Sequence, residues 1–154
     1  MEIAISEFMD SAAVDALRAR FSVVYDSTLA DRRADLRRVM DGAPALIVRN
    51  RTRIDAELLA SAPRLRVVGR LGVGLDNIDV PACQARGIEI IAATGANALA
   101  VAEYVIGTVM MLLRGAYLSS TEVAAGKWPR TQLSEGRETT GRTLGLVGFG
   151  GSAS

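Results

Sequence analysis

The feature that most constrains the fold is an alternation. Through the first ninety or so residues, short β-prone runs are separated by segments with helical spacing. Glu2 to Ser6 alternates polar and apolar residues and is expected as a strand. A helix over Ser11–Arg20 follows, with Val14 and Leu17 on one side. Ser22–Tyr25 reads as a second strand. Leu29–Met40 reads as a helix stopped by Asp41-Gly42, glycine being the residue expected just past a helix end. Ala45–Val48 is a continuous apolar run of the kind buried on both faces of a sheet. A helix over Asp55–Ala60, a strand over Arg66–Gly69, a helix over Val80–Arg86 and a strand over Ile88–Ala92 complete the series. Five such steps imply an α/β fold, a right-handed, doubly wound parallel sheet with helices on both faces. The order 2-1-3-4-5 is the commonest for a unit of this kind.

The texture then changes. Asn97 to about Ala125 reads as one long helix, apolar around its whole circumference between Tyr104 and Leu113, and a helix of that character is expected to be buried. Gly126-Lys-Trp-Pro129 ends it, Thr131–Gly141 is a polar connection, and Thr143–Val147 is expected as a sixth strand running into Gly148-Phe149-Gly150-Gly151-Ser152-Ala153.

Composition removes several function classes. The net charge is +1, so no basic field argues for nucleic acid or an anionic membrane. All but one of the 18 basic residues are arginine, a residue suited to bidentate contacts with anions, although composition bias explains the same fact. Cys83 is the lone cysteine, and histidine is absent. No internal disulfide or thiolate–imidazole metal site is therefore expected, and no Ser–His, Cys–His or histidine general-base chemistry. The first residues show no basic region or cleavage site, and the longest uncharged apolar stretch, Tyr104–Leu113, is about half a membrane span. A cytoplasmic protein with no membrane partner is the expectation.

Three segments carry chemistry, each with a plainer reading beside it. Gly148 to Ala153 fits G-x-G-x-x-G/A after an apolar strand, where glycines let the backbone approach a pyrophosphate at the start of a helix; a glycine- and serine-rich end is also often no more than a tail. Gly69-Arg-Leu-Gly-Val-Gly-Leu-Asp-Asn-Ile-Asp79 follows the fourth strand at the carboxyl end of the sheet. There Gly72 and Gly74 would expose successive amides suited to a carboxylate. The plainer reading is a glycine-rich turn, with Asp79 capping the helix that contains Pro81. Val48-Arg-Asn-Arg-Thr-Arg53 follows the third strand; its three arginines can hold a carboxylate and a second anionic group, or form a solvated loop.

Taken together, these segments resemble the D-isomer-specific 2-hydroxyacid dehydrogenases, especially the phosphoglycerate-dehydrogenase-like branch. The resemblance rests on Leu46-Ile-Val-Arg-Asn50, Val67 to Asp79, Ala96-Asn97-Ala-Leu-Ala-Val-Ala-Glu103, Gly126-Lys-Trp128 and Gly141 to Gly150, in unbroken order. It implies a flavodoxin-like substrate-binding (catalytic) domain begun by residues 1–96, an interdomain helix over 97–126 that makes a homodimer, and the start of a truncated NAD(P)-binding Rossmann domain over 127–154. The implied reaction is hydride transfer between a small anionic 2-hydroxy or 2-oxo acid and NAD or NADP. By resemblance, Arg49, Asn50 and Arg51 belong to the substrate loop. The amides of Gly72, Val73 and Gly74 face the substrate carboxylate, and Val73 also faces the nicotinamide. Asn97 stands beside the nicotinamide, and Gly148, Gly150, Gly151 and Ser152 form the pyrophosphate loop. Ser152 and Ala153 depart from the family, which usually has a large apolar residue and then glycine there. The family's acid/base histidine, its glutamate partner and its carbonyl-polarising arginine would all lie beyond residue 154, so these residues alone are expected to be catalytically incomplete. The arginine loop points to a phosphorylated or sulfonated substrate.

A second reading is a non-catalytic flavodoxin-like module that dimerises or regulates through its apolar helix. A signalling receiver is a poorer variant. Glu7 and Asp10 could line a pocket by the first strand, but the third strand ends in Arg49-Asn50 and not in a phosphorylatable aspartate.

Overall fold

The computed structural model describes residues 2–148, which divide into two units with the boundary between Thr94 and Gly95. In the first unit the order is β1 (Glu2–Ile5), α1 (Ser11–Arg18), β2 (Ser22–Tyr25), α2 (Arg33–Met40), β3 (Ala45–Val48), α3 (Ala56–Ala60), β4 (Val67–Arg70), α4 (Val80–Ala85) and β5 (Glu89–Ala92). A turn of 3₁₀ helix over Leu29–Asp31 precedes α2, so the helix expected from Leu29 starts four residues later. The strands form one parallel sheet, as the alternation implies, in the order β2-β1-β3-β4-β5, the commonest for such a unit.

Side-chain alternation along the strands splits the core between two faces. Ala4, Leu46, Val48 and Val68 pack with Leu36 and Met40 of α2, Leu58 of α3 and Cys83 of α4. Ile3, Ile5 and Ala45 point the other way and meet Val14 of α1. That second face has only one helix over it in this unit, and Ile91 on β5 remains 55% exposed.

Three carboxylates begin helices by accepting backbone amides. Asp10 takes Ala12 and Ala13 (3.0 and 3.3 Å), Asp55 takes Leu58 (3.0 Å) and Asp79 takes Ala82 (3.0 Å). Pro81 sits in the first turn of α4, where its missing amide costs nothing.

In the second unit the expected 97–125 helix is broken. Helix α5 covers Ala98–Arg114 and ends at Gly115, whose φ of 68° is left-handed and whose amide bonds to the Met111 carbonyl at 2.9 Å. A 3₁₀ turn and α6 (Ser120–Ala124) follow after a 67° bend, and α7 (Arg130–Ser134) falls in the stretch expected as a polar connection. Apolar periodicity ran through Gly115 because it carries no information about backbone handedness. Nor is α5 buried: none of its residues is, and Leu99, Tyr104 and Leu112 are 73%, 75% and 62% exposed. Among the described residues no single helix is long and apolar enough to cross a membrane. Thr143–Val147 forms no strand among the described residues, with Leu144, Leu146 and Val147 exposed. A strand exists only through its neighbours' hydrogen bonds, and the described part of this unit offers none.

Candidate functional site

In this sheet β1 and β3 are neighbours, yet α1 leaves β1 toward one face and α3 leaves β3 toward the other. Their loops therefore separate at the carboxyl ends and open a crevice, the place where open α/β sheets bind ligands. The loop after β3, residues 49–53, forms one wall of it. Its shape comes from a residue to which the sequence reading gives no such role. Glu7, two residues past β1 and 3% exposed, accepts the amides of Arg49 (2.8 Å), Asn50 (3.2 Å), Arg51 (3.0 Å) and Thr52 (2.9 Å). Burial alone would push the Glu7 carboxyl up. The amides of Thr52, Arg51 and Arg49 outweigh it and hold the group below the ordinary glutamate range. The hydroxyls of Ser6 and Thr52, both buried, meet at 2.8 Å.

On its other flank the loop is tied to the segment after β4. The Asn77 side-chain amide donates to the carbonyls of Arg49 (3.2 Å) and Thr52 (2.7 Å), and Ile54 pairs with Ile78 as an isolated parallel bridge. With backbone groups committed on both sides, the side chains of Arg49, Asn50 and Arg51 are left exposed. The three arginines are not equivalent. Arg51 pairs with Asp31, whereas Arg49 and Arg53 make no ion pair among the described residues; of these two it is Arg49 that lines the cleft and lies over the Phe8 ring, 6.0 Å from its centroid. A cleft of about 320 Å³ opens here, lined by Glu7, Phe8, Thr28, Asp31, Arg49 and Arg51 among others. A larger cavity of about 550 Å³ belongs to the second unit, around Leu113, Gly115 and Arg137, and holds none of the expected site residues.

The glycine-rich loop after β4 is braced from within. Arg70 donates through Nε to the Gly74 carbonyl (2.9 Å) and through Nη1 to the Leu71 carbonyl (2.8 Å). Gly72 lies so close to that guanidinium that a Cβ would run into it. The expectation that Gly72 presents its amide is not met, because that amide donates to the Arg70 carbonyl at 2.8 Å. Val73 and Gly74, like Leu75, Asp76 and Asn77 after them, have no acceptor for their amides among the described residues, and two successive amides of this kind suit a carboxylate. Asp10 caps α1 and Glu7 is fully engaged, so neither serves the receiver-type pocket.

Asn97 occupies the N-cap of α5 without a side-chain capping bond. Gly148 has a φ of 94°, a backbone conformation open to glycine. Gly150, Gly151 and Ser152 lie outside the described residues. Glu7, Arg70 and Asn77 are the residues the sequence reading missed as builders of the site. For Glu7 a signal existed: an order that sets β1 beside β3 brings an acid just past β1 within reach of the β3 loop.

The first unit is an α/β unit with a crevice at the carboxyl ends of its strands, and the Val73 and Gly74 amides and Arg49, without a protein acceptor or an ion pair among the described residues, are donors that suit a small anion. Comparison with known proteins narrows the class. The model of the D-isomer specific 2-hydroxyacid dehydrogenase catalytic domain matches residues 3–141, and the chain belongs to that family. It is 60% identical over 152 residues to an (S)-sulfolactate dehydrogenase of Chromohalobacter salexigens, covering 99% of this chain and 49% of that protein. Among solved structures, a protein of Thermus thermophilus superposes with a TM-score of 0.81 at 27% identity, covering 99% of this chain and 50% of that one. An NAD⁺-bound 3-phosphoglycerate dehydrogenase of Entamoeba histolytica superposes at 0.60 and 27% identity, over 76% of this chain and 40% of that one. The chain thus spans half or less of the length of these relatives.

Proposed function

We propose that these residues supply the substrate-carboxylate side of the active site of an NAD(P)-dependent dehydrogenase. Its substrate is a small 2-hydroxy acid with a second negative charge, for which sulfolactate is the best candidate. The observation that carries the reading is the pairing of two anion-binding elements on adjacent loops: the Val73–Gly74 amides after β4, and Arg49 after β3 with no ion pair among the described residues. The amides receive the carboxylate common to all 2-hydroxy acids, and the guanidinium takes the sulfonate or phosphate that distinguishes this one. Likeness to a sulfolactate dehydrogenase at 60% identity supports the same choice.

NAD(P), when bound, supplies the hydride acceptor, and Gly148, Gly150, Gly151 and Ser152 are the residues we assign to its pyrophosphate, with Asn97 and Val73 toward the nicotinamide. Proton removal from the 2-hydroxyl needs a base, and the chain has no histidine. The two acids at the cleft are committed, Glu7 to four amides and Asp31 to Arg51. By likeness to the family, we assign the base to groups outside these 154 residues. In this reading residues 1–96 begin the substrate-binding domain, 97–126 link the domains, and 127–154 begin the NAD(P)-binding domain. The exposed apolar side chains of α5, Tyr104 and Leu112 among them, are assigned to a homodimer contact in a cytoplasmic enzyme.

The test is NAD and NADP reduction by the protein carrying this sequence, with sulfolactate, 3-phosphoglycerate and lactate side by side. Sulfolactate is expected to give the highest kcat/KM. Arg49→Ala is expected to raise KM for the dianions at least about tenfold, the loss of one charge-assisted hydrogen-bonded contact, and to leave lactate nearly unchanged. Lactate turned over as well as the dianions would refute the second-charge assignment. A well-behaved dimer with no nucleotide affinity would favour a non-catalytic module, which the uncovered helix also fits.

A further inference from the structure

We propose that Glu7 is a positioning residue for the substrate, an internal anion that fills the amide nest of the 49–52 loop so that the loop meets the incoming negative charge through the Arg49 guanidinium and not through its amides. The inference deepens the reading of the loop given above and rests on it.

The geometry carries the argument. Successive amides turned to one side form a concavity that attracts anions. Here four in a row, from Arg49 to Thr52, converge on one buried carboxylate at 2.8 to 3.2 Å. Without that carboxylate, the nest would compete with Arg49 for whichever negative group of the substrate arrived first, and the substrate would have two registers. With it, the backbone donors are used up. The loop's carbonyls at Arg49 and Thr52 are likewise held, by Asn77. Of the described arginines lining the cleft, Arg49 is the one without an ion pair, steadied over Phe8, and on the loop after β4 the successive amides of Val73 and Gly74 have no protein acceptor among the described residues. A dianion held by that guanidinium at one end and by that amide pair at the other would have its two charged ends distinguished. A carboxylate is required for this: an amide side chain in place of Glu7 would present its own N–H groups to some of the four donors, leaving buried polar groups unpaired.

The experiment uses the protein carrying this sequence with sulfolactate as the varied substrate. Glu7→Ala is expected to raise KM for sulfolactate about tenfold, as for one or two buried donors left unpaired, with KM for the nucleotide unchanged. Formate, small enough to enter the vacated space, is expected to restore KM in Glu7→Ala and not in Arg49→Ala. Amide exchange at residues 49–52 should quicken in Glu7→Ala while β3 keeps its protection, and formate should slow it again. Should Glu7→Ala fail to fold, Glu7→Gln and Glu7→Asp decide the matter. Glu7→Gln, of equal size and uncharged, should show the raised KM, and Glu7→Asp, charged and one methylene shorter, an intermediate one. A wild-type KM in Glu7→Gln, or an activity loss seen only as less folded protein with KM and loop exchange unmoved, overturns the proposal. If Arg49→Ala raises KM and no Glu7 variant does, the inference alone fails. If Arg49→Ala leaves KM unmoved, the substrate reading of the loop fails and the inference with it.

Discussion

Arg70 makes the clearest residue-scale case of a side chain that acts through the backbone. Its guanidinium draws the carbonyls of Leu71 and Gly74 to one side of a tight loop. The amides of Val73 and Gly74 keep no protein acceptor among the described residues. A cation behind two donors also strengthens the field that an arriving carboxylate meets. Arg70→Met keeps much of the bulk and removes both contacts. It is expected to raise KM for every 2-hydroxy acid, mono- and dianionic alike, by about tenfold, because a charge-assisted hydrogen bond is worth roughly 1.5–3 kcal/mol. Steady-state kinetics with lactate and sulfolactate would check it. A rise confined to sulfolactate would place Arg70 on the wrong end of the substrate. Arg49→Ala should give that confined pattern, so the two variants separate the two loops.

Elements here end where backbone geometry demands it, and α5 shows the point. Its apolar spacing continues past residue 114, yet the helix stops at Gly115 in a left-handed conformation, φ 68°. An L-residue with a side chain pays about 1–2 kcal/mol to adopt that conformation. Gly115→Ala should therefore destabilise the second unit by about that amount in urea unfolding and quicken amide exchange near residues 112–119. A neutral or stabilising result would mean that the helix runs unbroken through 115, as the periodicity alone suggests. The tightness behind the turn supports the break. The Arg137 amide donates to the Leu113 carbonyl at 2.8 Å, and a Cβ on Gly136 would come within 2.8 Å of the Arg114 carbonyl oxygen. Helix α5 thus ends against a segment that a continuing helix would displace.

At the scale of the molecule, acid stability follows from the carboxylates that organise the first unit. Glu7 and Asp55 are both pushed up by burial, yet both are held below their ordinary values, Glu7 by backbone amides and Asp55 by the Leu58 amide and Arg33. Asp26, at the surface, is lowered by the hydroxyl and amide of Thr28. For groups whose folded pKa is depressed, the unfolded chain binds more protons near the ordinary carboxylate pKa. Their contribution is present above that range and is lost as pH falls through the folded values. The urea midpoint should stay level from neutral pH down to about 5 and decline below about 4. Glu7→Gln should have a lower midpoint at neutral pH and a shallower acid decline. Equal declines in the two proteins would remove Glu7 from the account.

The sequence by itself determined the sheet. Apolar runs of four or five residues, spaced by amphipathic segments, leave few ways to cover both strand faces, and a parallel doubly wound sheet followed, with β1 beside β3 as the commonest order for such a unit. The cap of α4 was equally local: Asp79 with Pro81 acts within one turn and can be read from neighbours in the chain, whereas Asp55, read as the first residue of its helix, proved to be the cap of α3. Tertiary structure decided everything that depended on a partner far away in sequence. Glu7 meets the amides of 49–52 across some forty residues, and nothing near Glu7 marks it as a loop anchor. Arg49, Arg51 and Arg53 look alike in the chain, and only the fold sets Asp31 against Arg51 and Phe8 beneath Arg49. Thr143–Val147 has the composition of a strand and forms none among the described residues, because a strand is a relation between chains of hydrogen bonds and not a property of one segment. Local pattern fixes which groups must be buried or capped, and only the packed structure fixes which distant group satisfies each of them.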